Sequence, residues 1–157
     1  MSEATKVPDR AAPVTLREIT EETVDEILAL RVGQEQTKFV ASNAKSIAQA
    51  HFCKTAWFRA IYAGESPVGF VMLDDKPDLP EYFLWRLMVD ERYQRMGFGR
   101  KALDRLIEHV KTRPRATELL TSCVPGEGSP EPFYLTYGFE QTGRMEEGEK
   151  VLRLPLR

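Results

Sequence analysis

The chain has 157 residues, 42% of them hydrophobic, which is enough to bury a core without disulfides or a structural metal. Its formal net charge of −2 argues against a nucleic-acid-binding surface, which usually carries a basic excess. The two cysteines, Cys53 and Cys123, offer neither a disulfide framework nor a metal-ligand spacing, so a reduced, cytoplasmic setting is expected. No apolar run approaches a membrane span and the polar N-terminus has no signal-peptide core, so no membrane partner is expected.

The N-terminal part predicts a strand followed by two helical regions. Residues 1–13, polar and proline-containing, predict a flexible tail, and residues 14–157 predict one domain. Residues 14–18 alternate like a strand, and Thr20 is a suitable cap for a helix after it. Residues 36–51 predict a further helical region, broken near two good caps. The caps in this second region are Ser42 and Asn43. The first helix is expected to bury Val24, Ile27 and Leu28.

A hairpin and another strand follow. Residues 57–63 and 68–73 predict two strands joined by a turn at residues 64–67, which include a Gly and a Pro. Residues 74–80 contain three aspartates and two prolines, a composition that is typical of a loop. Residues 82–89 then predict an apolar, β-branched and aromatic strand.

The glycine-bearing loop after this strand is the most informative feature of the chain. Gly97 and Gly99 open a helix whose apolar residues form one stripe. Such a loop aims several backbone N–H groups and the positive end of the helix dipole at one point, so it predicts a seat for a phosphate or diphosphate. Arg95 and Arg100 add positive charge nearby. The stripe comprises Ala102, Leu103, Leu106, Ile107 and Val110.

Two familiar phosphate-binding motifs fit this loop poorly. A P-loop ends in Gly-Lys-Ser/Thr, whereas Gly99 is followed by Arg100 and Lys101. A dinucleotide-binding fingerprint needs three glycines, and Arg95 stands where the first is required. The remaining alternative is an ordinary connection between a strand and a helix, with solvent-exposed arginines.

The C-terminal part predicts a strand, a short helix and two closing strands. The strand covers residues 118–123. Ser129 is expected to cap the short helix, with Pro130 in its first turn and Gly138 at its end. The closing strands are expected at residues 141–145 and 150–154.

The glycine-bearing loop and the short helix together resemble a known family. Gln94, Gly97 and Gly99 match the Gln/Arg-x-x-Gly-x-Gly/Ala signature of the GNAT superfamily of acyl-CoA N-acyltransferases, and residues 132–139 resemble the family's Phe-Tyr-x-x-x-Gly-Phe ending. The resemblance covers residues 15–156. It implies a mixed α/β fold, with a twisted, mostly antiparallel sheet whose fourth and fifth strands splay apart between flanking helices. It also implies direct transfer of an acetyl group from acetyl-CoA, the co-substrate, to an amine.

The resemblance implies roles for individual residues. Tyr134 matches the family tyrosine that donates a proton or a hydrogen bond to the departing thiolate. The alternative is that Phe133, Tyr134 and Tyr137 form an aromatic face packed on the sheet. Arg95 departs from the family pattern, because many members carry glycine at this position. Pantetheine and the thioester are expected at Leu87, Met88 and Val89, and the diphosphate at Gln94, Arg95, Met96, Gly97, Phe98, Gly99 and Arg100.

The general base is less sharply indicated. An alkylamine with a pKa of about 10 is protonated at neutral pH, so its deprotonation has to be assisted. Glu81 is the candidate, because strand alternation puts it on the same face as the residues nearer the thioester. Its alternative is a solvated carboxylate at the strand entrance, and Asp74 and Asp75 are rivals. The shared face is expected to comprise Glu81, Phe83, Trp85, Leu87 and Val89.

Substrate specificity is expected in the helical segment before the second strand. Residues 30–43 and 82–86 resemble the corresponding segments of bacterial spermine/spermidine acetyltransferases. Glu35, together with Phe39 and Trp85, would suit an ammonium on an aliphatic chain, as in a polyamine or a diamine. The alternative places Phe39 in the core and Glu35 on the surface.

Three function classes follow from these features. The first is an enzyme that acetylates a small-molecule amine, the second an acyl-CoA sensor without turnover, and the third an acetyltransferase that acts on a protein. The presence of Tyr134 favours an enzyme over a sensor. No metal site is expected, and a homodimer is expected only by analogy with the family.

Overall fold

A computed structural model describes residues 7–156 as a seven-stranded sheet with helices packed against it. Its strands are β1 (Val14–Arg17), β2 (Ala56–Ala63), β3 (Ser66–Lys76), β4 (Glu81–Val89), β5 (Glu118–Cys123), β6 (Glu140–Glu146) and β7 (Glu149–Pro155). Its α-helices are α1 (Val24–Leu28), α2 (Asn43–His51), α3 (Phe98–Lys111) and α4 (Glu131–Tyr137), and two single-turn 3₁₀ helices span Gln34–Gln36 and Glu91–Tyr93. The mixed α/β prediction is confirmed.

The sheet opens between its two central strands. Its order is β1-β2-β3-β4-β5-β7-β6, and every neighbouring pair is antiparallel except β4 and β5, which are parallel. These two strands pair only at Phe83 with Leu120 and at Leu84 with Thr121. Beyond this point β4 continues to Val89 without a partner on that side, so the two strands form a V whose edges carry backbone groups free to bind a ligand.

Two apolar clusters hold the helices on opposite faces of the sheet. The larger cluster joins α3 and α4 to one face and includes Leu103, Leu106 and Tyr134. The smaller cluster joins α1 and α2 to the other face and includes Ile27 and Met88. The stripe predicted for α3 therefore does face the sheet, and four of its five residues are fully buried, whereas Ile107 is partly buried.

A β-bulge in β4 exchanges the two faces of the strand. Leu73 pairs with Leu84 and Met72 with Arg86, so Trp85 is an extra residue without a partner on β3. Side chains alternate along a strand, and an extra residue reverses their sides from that point onward. Leu87 and Val89 consequently pack on the α3 side, whereas Trp85 packs in the α1/α2 cluster. The prediction that Leu87 and Val89 share one face with Glu81, Phe83 and Trp85 is therefore wrong.

Gly69 brings β3 unusually close to the end of β4, where it pairs with Val89. A Cβ atom at this position would lie 2.2 Å from the carbonyl oxygen of Met88, a distance that real Cβ atoms do not adopt. A side chain at residue 69 would therefore push β4 aside at the point where it borders the V.

Three local predictions differ from the structure. Residues 74–76 belong to β3 rather than to a loop, because the ladder with β4 extends to the pair of Lys76 with Glu81. Helix α1 begins at Val24 with Thr23, not Thr20, as its N-cap. The carbonyl of Thr20 instead accepts hydrogen bonds from the N–H groups of Thr23 and Val24 in the turn before the helix. Leu28 is 43% exposed, so the helix does not bury it.

Part of the predicted tail is attached to the fold. The N–H of Ala12 donates to the carbonyl of Asp9, the N–H of Gly64 donates to that of Pro13, and the Lys101 ammonium donates to that of Arg10. Residues 1–6 lie outside the described residues, so that part of the tail prediction stays untouched. Among residues 7–156, no helix is both long and apolar enough to cross a bilayer.

Candidate active site

The V between β4 and β5 leads into a cavity of about 470 Å³. Its walls come from four segments that are distant in sequence: residues 32–40, the end of β4, the glycine-bearing loop with the start of α3, and the start of α4. All the predicted cofactor-binding residues except Met96 line it. Met96 instead packs against the α3-side core, so it anchors the loop rather than bordering the cavity.

The backbone N–H groups of residues 95–100 are free at one end of this cavity. Within residues 7–156 none of them donates a hydrogen bond, and the first amide of α3 that finds an acceptor is that of Lys101, which donates to the carbonyl of Gly97. Arg95 and Gly97 both have positive φ, 63° and 84°, which turns the successive amides toward the same side. Together with the helix dipole and the exposed guanidinium groups of Arg95 and Arg100, these amides give this end of the cavity the donors and the positive charge that the predicted phosphate-binding loop requires.

Gln94 braces the loop through its side chain. Its Nε2 donates to the carbonyl of Val89 and to Oε1 of Gln36, both at 2.9 Å. The same Oε1 accepts from the N–H of Gly33 at 3.0 Å. The loop is thereby fixed to the end of β4 and to the 3₁₀ helix of residues 34–36. Gln36 was not expected at the site, because no local pattern links it to a loop that lies so far along the chain.

Asp90 is a second brace that sequence reasoning missed. Its buried carboxylate accepts hydrogen bonds from the N–H groups of Arg31 and Arg92, at 3.0 and 2.9 Å, and from the Arg92 guanidinium at 2.8 Å. Burial opposes its ionisation, but these hydrogen bonds outweigh burial and hold the pKa of Asp90 below its usual value. The carboxylate ties the chain after α1 to the turn that precedes the phosphate-binding loop.

Replacing this carboxylate is expected to weaken the fold in a pH-dependent way. Because its pKa is lower in the folded state, the ionised Asp90 contributes stability above its unfolded pKa, and this contribution disappears as the pH falls through the folded pKa. Asp90→Asn should therefore lower the free energy of unfolding by about 2 kcal/mol at pH 7. The difference from the parent protein should shrink below about pH 4. Urea unfolding at several pH values measures it, and a difference that is constant down to pH 2.5 would contradict this account.

Tyr134 lies where the V closes. Its side chain is buried, lines the cavity and lies near Thr121, whose hydroxyl donates to the carbonyl of Leu84 at the last paired position of β4 and β5. Burial raises the pKa of the Tyr134 phenol far above its usual value, and nearby Cys123 adds to this, while the neighbouring Thr121 hydroxyl opposes it. The phenol is therefore neutral at physiological pH and available as a donor.

The other tyrosine of this helix has a different role. Tyr137 donates its hydroxyl hydrogen bond to Oδ1 of Asp104 on α3, at 2.6 Å, and does not line the 470 Å³ cavity. Phe133 does line that cavity and contacts the Tyr134 ring edge-on, with centroids 5.4 Å apart. The two expectations for this segment thus coexist: it packs as an aromatic face, and it also presents one tyrosine to the cavity.

Two further cavities open on the opposite side of the V from the phosphate-binding loop. One, of about 280 Å³, shares Phe39, Leu87 and Tyr134 with the first cavity and is also bordered by Trp85 and Glu149. The other, of about 570 Å³, continues outward past Trp85 and the β6–β7 turn, where Glu146, Glu147 and Glu149 line it. We call the smaller one the inner and the larger one the outer acceptor-side cavity, because an amine acceptor of the kind that the sequence predicts would approach Tyr134 from this side.

The predicted substrate-binding residues are only partly brought together. Phe39 and Trp85 both line the inner acceptor-side cavity. Phe39 also packs against the loop after β5, since a Cβ at Gly128 would lie 3.4 Å from its ring. Glu35 is exposed, folds back over Gly33 and lines none of these cavities. The expected ammonium-binding role of Glu35 therefore finds no support in its position.

The structure does not bring Glu81 to the site. It is exposed at the far end of β4, six residues before Leu87, a separation of about 20 Å along a strand. Of its rivals, Asp74 accepts a hydrogen bond from Thr55, and Asp75 forms an ion pair with Arg113 at 2.9 Å. All three carboxylates lie near the end of the sheet that is remote from Tyr134, so their positions do not favour a role as base.

Glu81→Gln is accordingly expected to leave turnover within about twofold of the parent protein, because an exposed carboxylate so far away cannot contact a reacting amine. Initial rates of thiol release at saturating substrates test this. A loss of tenfold or more would restore Glu81 as a catalytic candidate.

Comparisons with known proteins agree with this geometry. Residues 19–139 match the model of the family described as Acetyltransferase (GNAT) family. The chain belongs to the GNAT acetyltransferase family. It is an acetyl-CoA-dependent N-acetyltransferase, and acetyl-CoA is its co-substrate.

The individual proteins to which this acetyltransferase is similar share a low sequence identity with it. A spermine/spermidine N(1)-acetyltransferase of Bacillus subtilis is 27% identical over 146 residues, which cover 88% of this chain and 96% of the relative. The GNAT domain of PAT from S. lividans superposes with a TM-score of 0.76 at 16% identity, over 98% of this chain and 96% of that one. A PaiA N-acetyltransferase from Thermoplasma acidophilum, in complex with coenzyme A, gives a TM-score of 0.67 at 15% identity over 91% and 99%. The solved structures support the fold of this acetyltransferase and carry no argument about its acceptor.

Proposed function

We propose that this acetyltransferase acts on a small primary amine of the polyamine or diamine class, such as spermidine or spermine. The observation that carries the proposal is the outer acceptor-side cavity, which is lined by Trp85 and by three carboxylates, those of Glu146, Glu147 and Glu149, against one cation, Arg86, among the described lining residues. Carboxylates and an indole ring attract ammonium groups on an aliphatic chain. The similarity to a spermine/spermidine N(1)-acetyltransferase points the same way.

The transfer follows from the position of the groups around the V. The diphosphate of acetyl-CoA binds the free amides of residues 95–100, and the pantetheine arm lies along the unpaired edge of Leu87, Met88 and Val89 as an added strand. A backbone N–H near Leu87 or Met88 polarises the thioester carbonyl. The neutral phenol of Tyr134 then donates to the sulfur as the thiolate departs. An amine that enters from the acceptor side attacks the carbonyl directly, so no covalent enzyme intermediate is required.

One observation favours a second candidate acceptor. The inner acceptor-side cavity is bordered by three cations, Lys38, Lys45 and Arg86, beside a single carboxylate among the described residues that line it. Cations at this place suit an amine that also carries a carboxylate, such as an amino acid or the end of a peptide. A protein or amino-acid acceptor is therefore the alternative to a polyamine.

Acetyl transfer to matched amines distinguishes the candidates. Thiol release from acetyl-CoA should give a kcat/KM for spermidine at least about tenfold above that for 1-butylamine, because the additional charges of spermidine gain ion pairs in the outer cavity, and tenfold corresponds to about 1.4 kcal/mol. A preference for an amino acid or a peptide would contradict the polyamine proposal and support the alternative. Tight binding of coenzyme A without turnover of any amine would indicate a sensor.

The setting of the protein and its assembly stay predictions. A cytoplasmic location rests on the two cysteines, which are free thiols in the fold, and on the use of acetyl-CoA. A homodimer rests on analogy with the family. Sedimentation of the purified protein over a range of concentrations measures its oligomeric state.

A further inference from the structure

Glu149 occupies a distinctive place between the two acceptor-side cavities. It is the first residue of β7, directly after the β6–β7 turn, and it lines both the inner and the outer cavity. Tyr134, Leu87 and Trp85 line the inner cavity with it. Among the described residues around that inner cavity, Glu149 supplies the sole carboxylate.

The carboxylate of Glu149 is oriented but keeps capacity for a cation. The hydroxyl of Ser122, on β5, donates to its Oε1 at 3.0 Å and fixes the side chain from one side. No ion pair among residues 7–156 involves Glu149, since every Lys and Arg side-chain nitrogen within the described chain lies more than 4.0 Å from its carboxylate oxygens. An ammonium that enters the cavity therefore meets a carboxylate without a committed partner.

Arg86 lines both cavities together with Glu149, but its guanidinium is held elsewhere. Its guanidinium donates to the carbonyl of Trp85 at 3.0 Å and to the side chain of Gln49 at 3.1 Å. Burial lowers the pKa of Arg86, and the charge of Glu149 opposes this, so the two groups interact across the cavity without forming a contact.

We infer that Glu149 is the carboxylate that binds the ammonium of the acceptor and accepts its proton. This inference rests on the proposed acetyl transfer to an amine. The ammonium gives one proton to the Glu149 carboxylate, which later releases it to water. The neutral nitrogen forms the N–C bond with the acetyl carbonyl, and the C–S bond breaks with its electron pair on sulfur. The second proton lost by the nitrogen replaces the one that Tyr134 donates to the thiolate, so acetyl-CoA and the ammonium yield the amide, coenzyme A and one proton.

Other acids and nucleophiles of the chain do not fit this role. Glu131 forms an ion pair with Lys150 at 3.2 Å, and Glu146 and Glu147 border the outer cavity but not the inner one. Cys123 does line the inner cavity, but burial raises the pKa of its thiol, which disfavours the thiolate form.

The energetic case depends on the exclusion of water. In water the transfer from an ammonium to a carboxylate is strongly uphill, because their usual pKa values are about 10 and about 4.3. Removal of water from an ion pair disfavours both charges and brings the neutral pair within reach. The acceptor nitrogen need only be neutral for the moment of attack, so a small population of the neutral pair is sufficient.

A pH profile of Glu149→Gln tests the inference. At pH 7 the variant should turn over spermidine about 100-fold more slowly than the parent protein. Near pH 9.5 the solution itself supplies free amine, so the deficit should shrink to less than about tenfold. Binding of coenzyme A, measured by calorimetry, should be unchanged, since Glu149 lies across the V from the phosphate-binding loop. Glu140→Gln is the matched control: it lies on the same β6–β7 hairpin, is exposed, and lines none of the three cavities.

A second variant distinguishes a loss of catalysis from a loss of folding. Ser122→Ala removes the hydrogen bond that orients the carboxylate and should slow turnover about fivefold at pH 7, again with recovery at high pH. A rate for Glu149→Gln within threefold of the parent at pH 7, or a loss in both variants that is independent of pH, would overturn the inference while leaving the proposed function intact. If the parent protein acetylates no amine, the proposed function fails and this inference fails with it.

Discussion

Tyr134→Phe is expected to lower kcat by about 100-fold or more while it leaves the affinity for coenzyme A within about threefold. The phenol is buried at the apex of the V, and its raised pKa keeps it protonated. Removal of the hydroxyl leaves the thiolate without a proton or hydrogen-bond donor at the moment of departure, whereas the ring that packs against Phe133 and Phe139 is retained. Steady-state kinetics combined with calorimetric binding of coenzyme A measure the two effects separately.

Tyr137→Phe is the matched control for this experiment. It removes a hydroxyl from the same helix, and the lost hydrogen bond is a structural one to Asp104. We expect a lower melting temperature with turnover within about threefold of the parent. Equal losses of turnover in the two variants would contradict the role assigned to Tyr134, because both would then act through the packing of α4.

Gly97→Val is expected to weaken binding of coenzyme A by about 30-fold or more. Gly97 has φ of 84° at the N-cap of α3, a conformation that a β-branched residue adopts only with strain of about 1–3 kcal/mol. No atom lies within 4 Å of a Cβ built there, so the side chain meets no obstacle in the free protein. It would, however, occupy the space over the amides where a diphosphate approaches.

Gly143→Val separates these two effects. Gly143 on β6 has φ of 81° and equally open surroundings, so the strain is matched, but it lies outside the cavity that contains Gly97. Both variants should lose similar stability in thermal unfolding, and only Gly97→Val should lose affinity for coenzyme A. An unchanged affinity for coenzyme A in Gly97→Val would contradict the binding of its diphosphate by the amides of residues 95–100.

Local sequence patterns were sufficient to predict most of the secondary structure and the position of the glycine-bearing loop. The glycines that open α3, its apolar stripe and the short helix that ends at Gly138 each act over a few residues, and strand β5 was predicted with the bounds the structure gives it. The splay of β4 and β5 was an implication of the family resemblance, and the two paired positions at its apex confirm it.

The residues on the acceptor side of the V could not be predicted from local sequence patterns, and the reason is physical. One unpaired residue, Trp85, reverses the faces of β4, and a bulge of this kind leaves no clear mark in an alternating sequence. The prediction for Glu81 depended on uninterrupted alternation, whereas the bulge separates the face of Glu81 from that of Leu87 and Val89. Glu149 reaches the site from a strand near the C-terminus, and Gln36 and Asp90 act through hydrogen bonds to residues far away in sequence.

A crystal structure with bound coenzyme A would show whether the backbone amides of residues 95–100 hold its diphosphate. We expect the diphosphate oxygens to lie within hydrogen-bond distance, about 2.7–3.2 Å, of backbone nitrogens in residues 95–100, with the pantetheine arm between β4 and β5. A diphosphate bound at another surface, with the amides of residues 95–100 paired to other parts of the chain, would contradict the account.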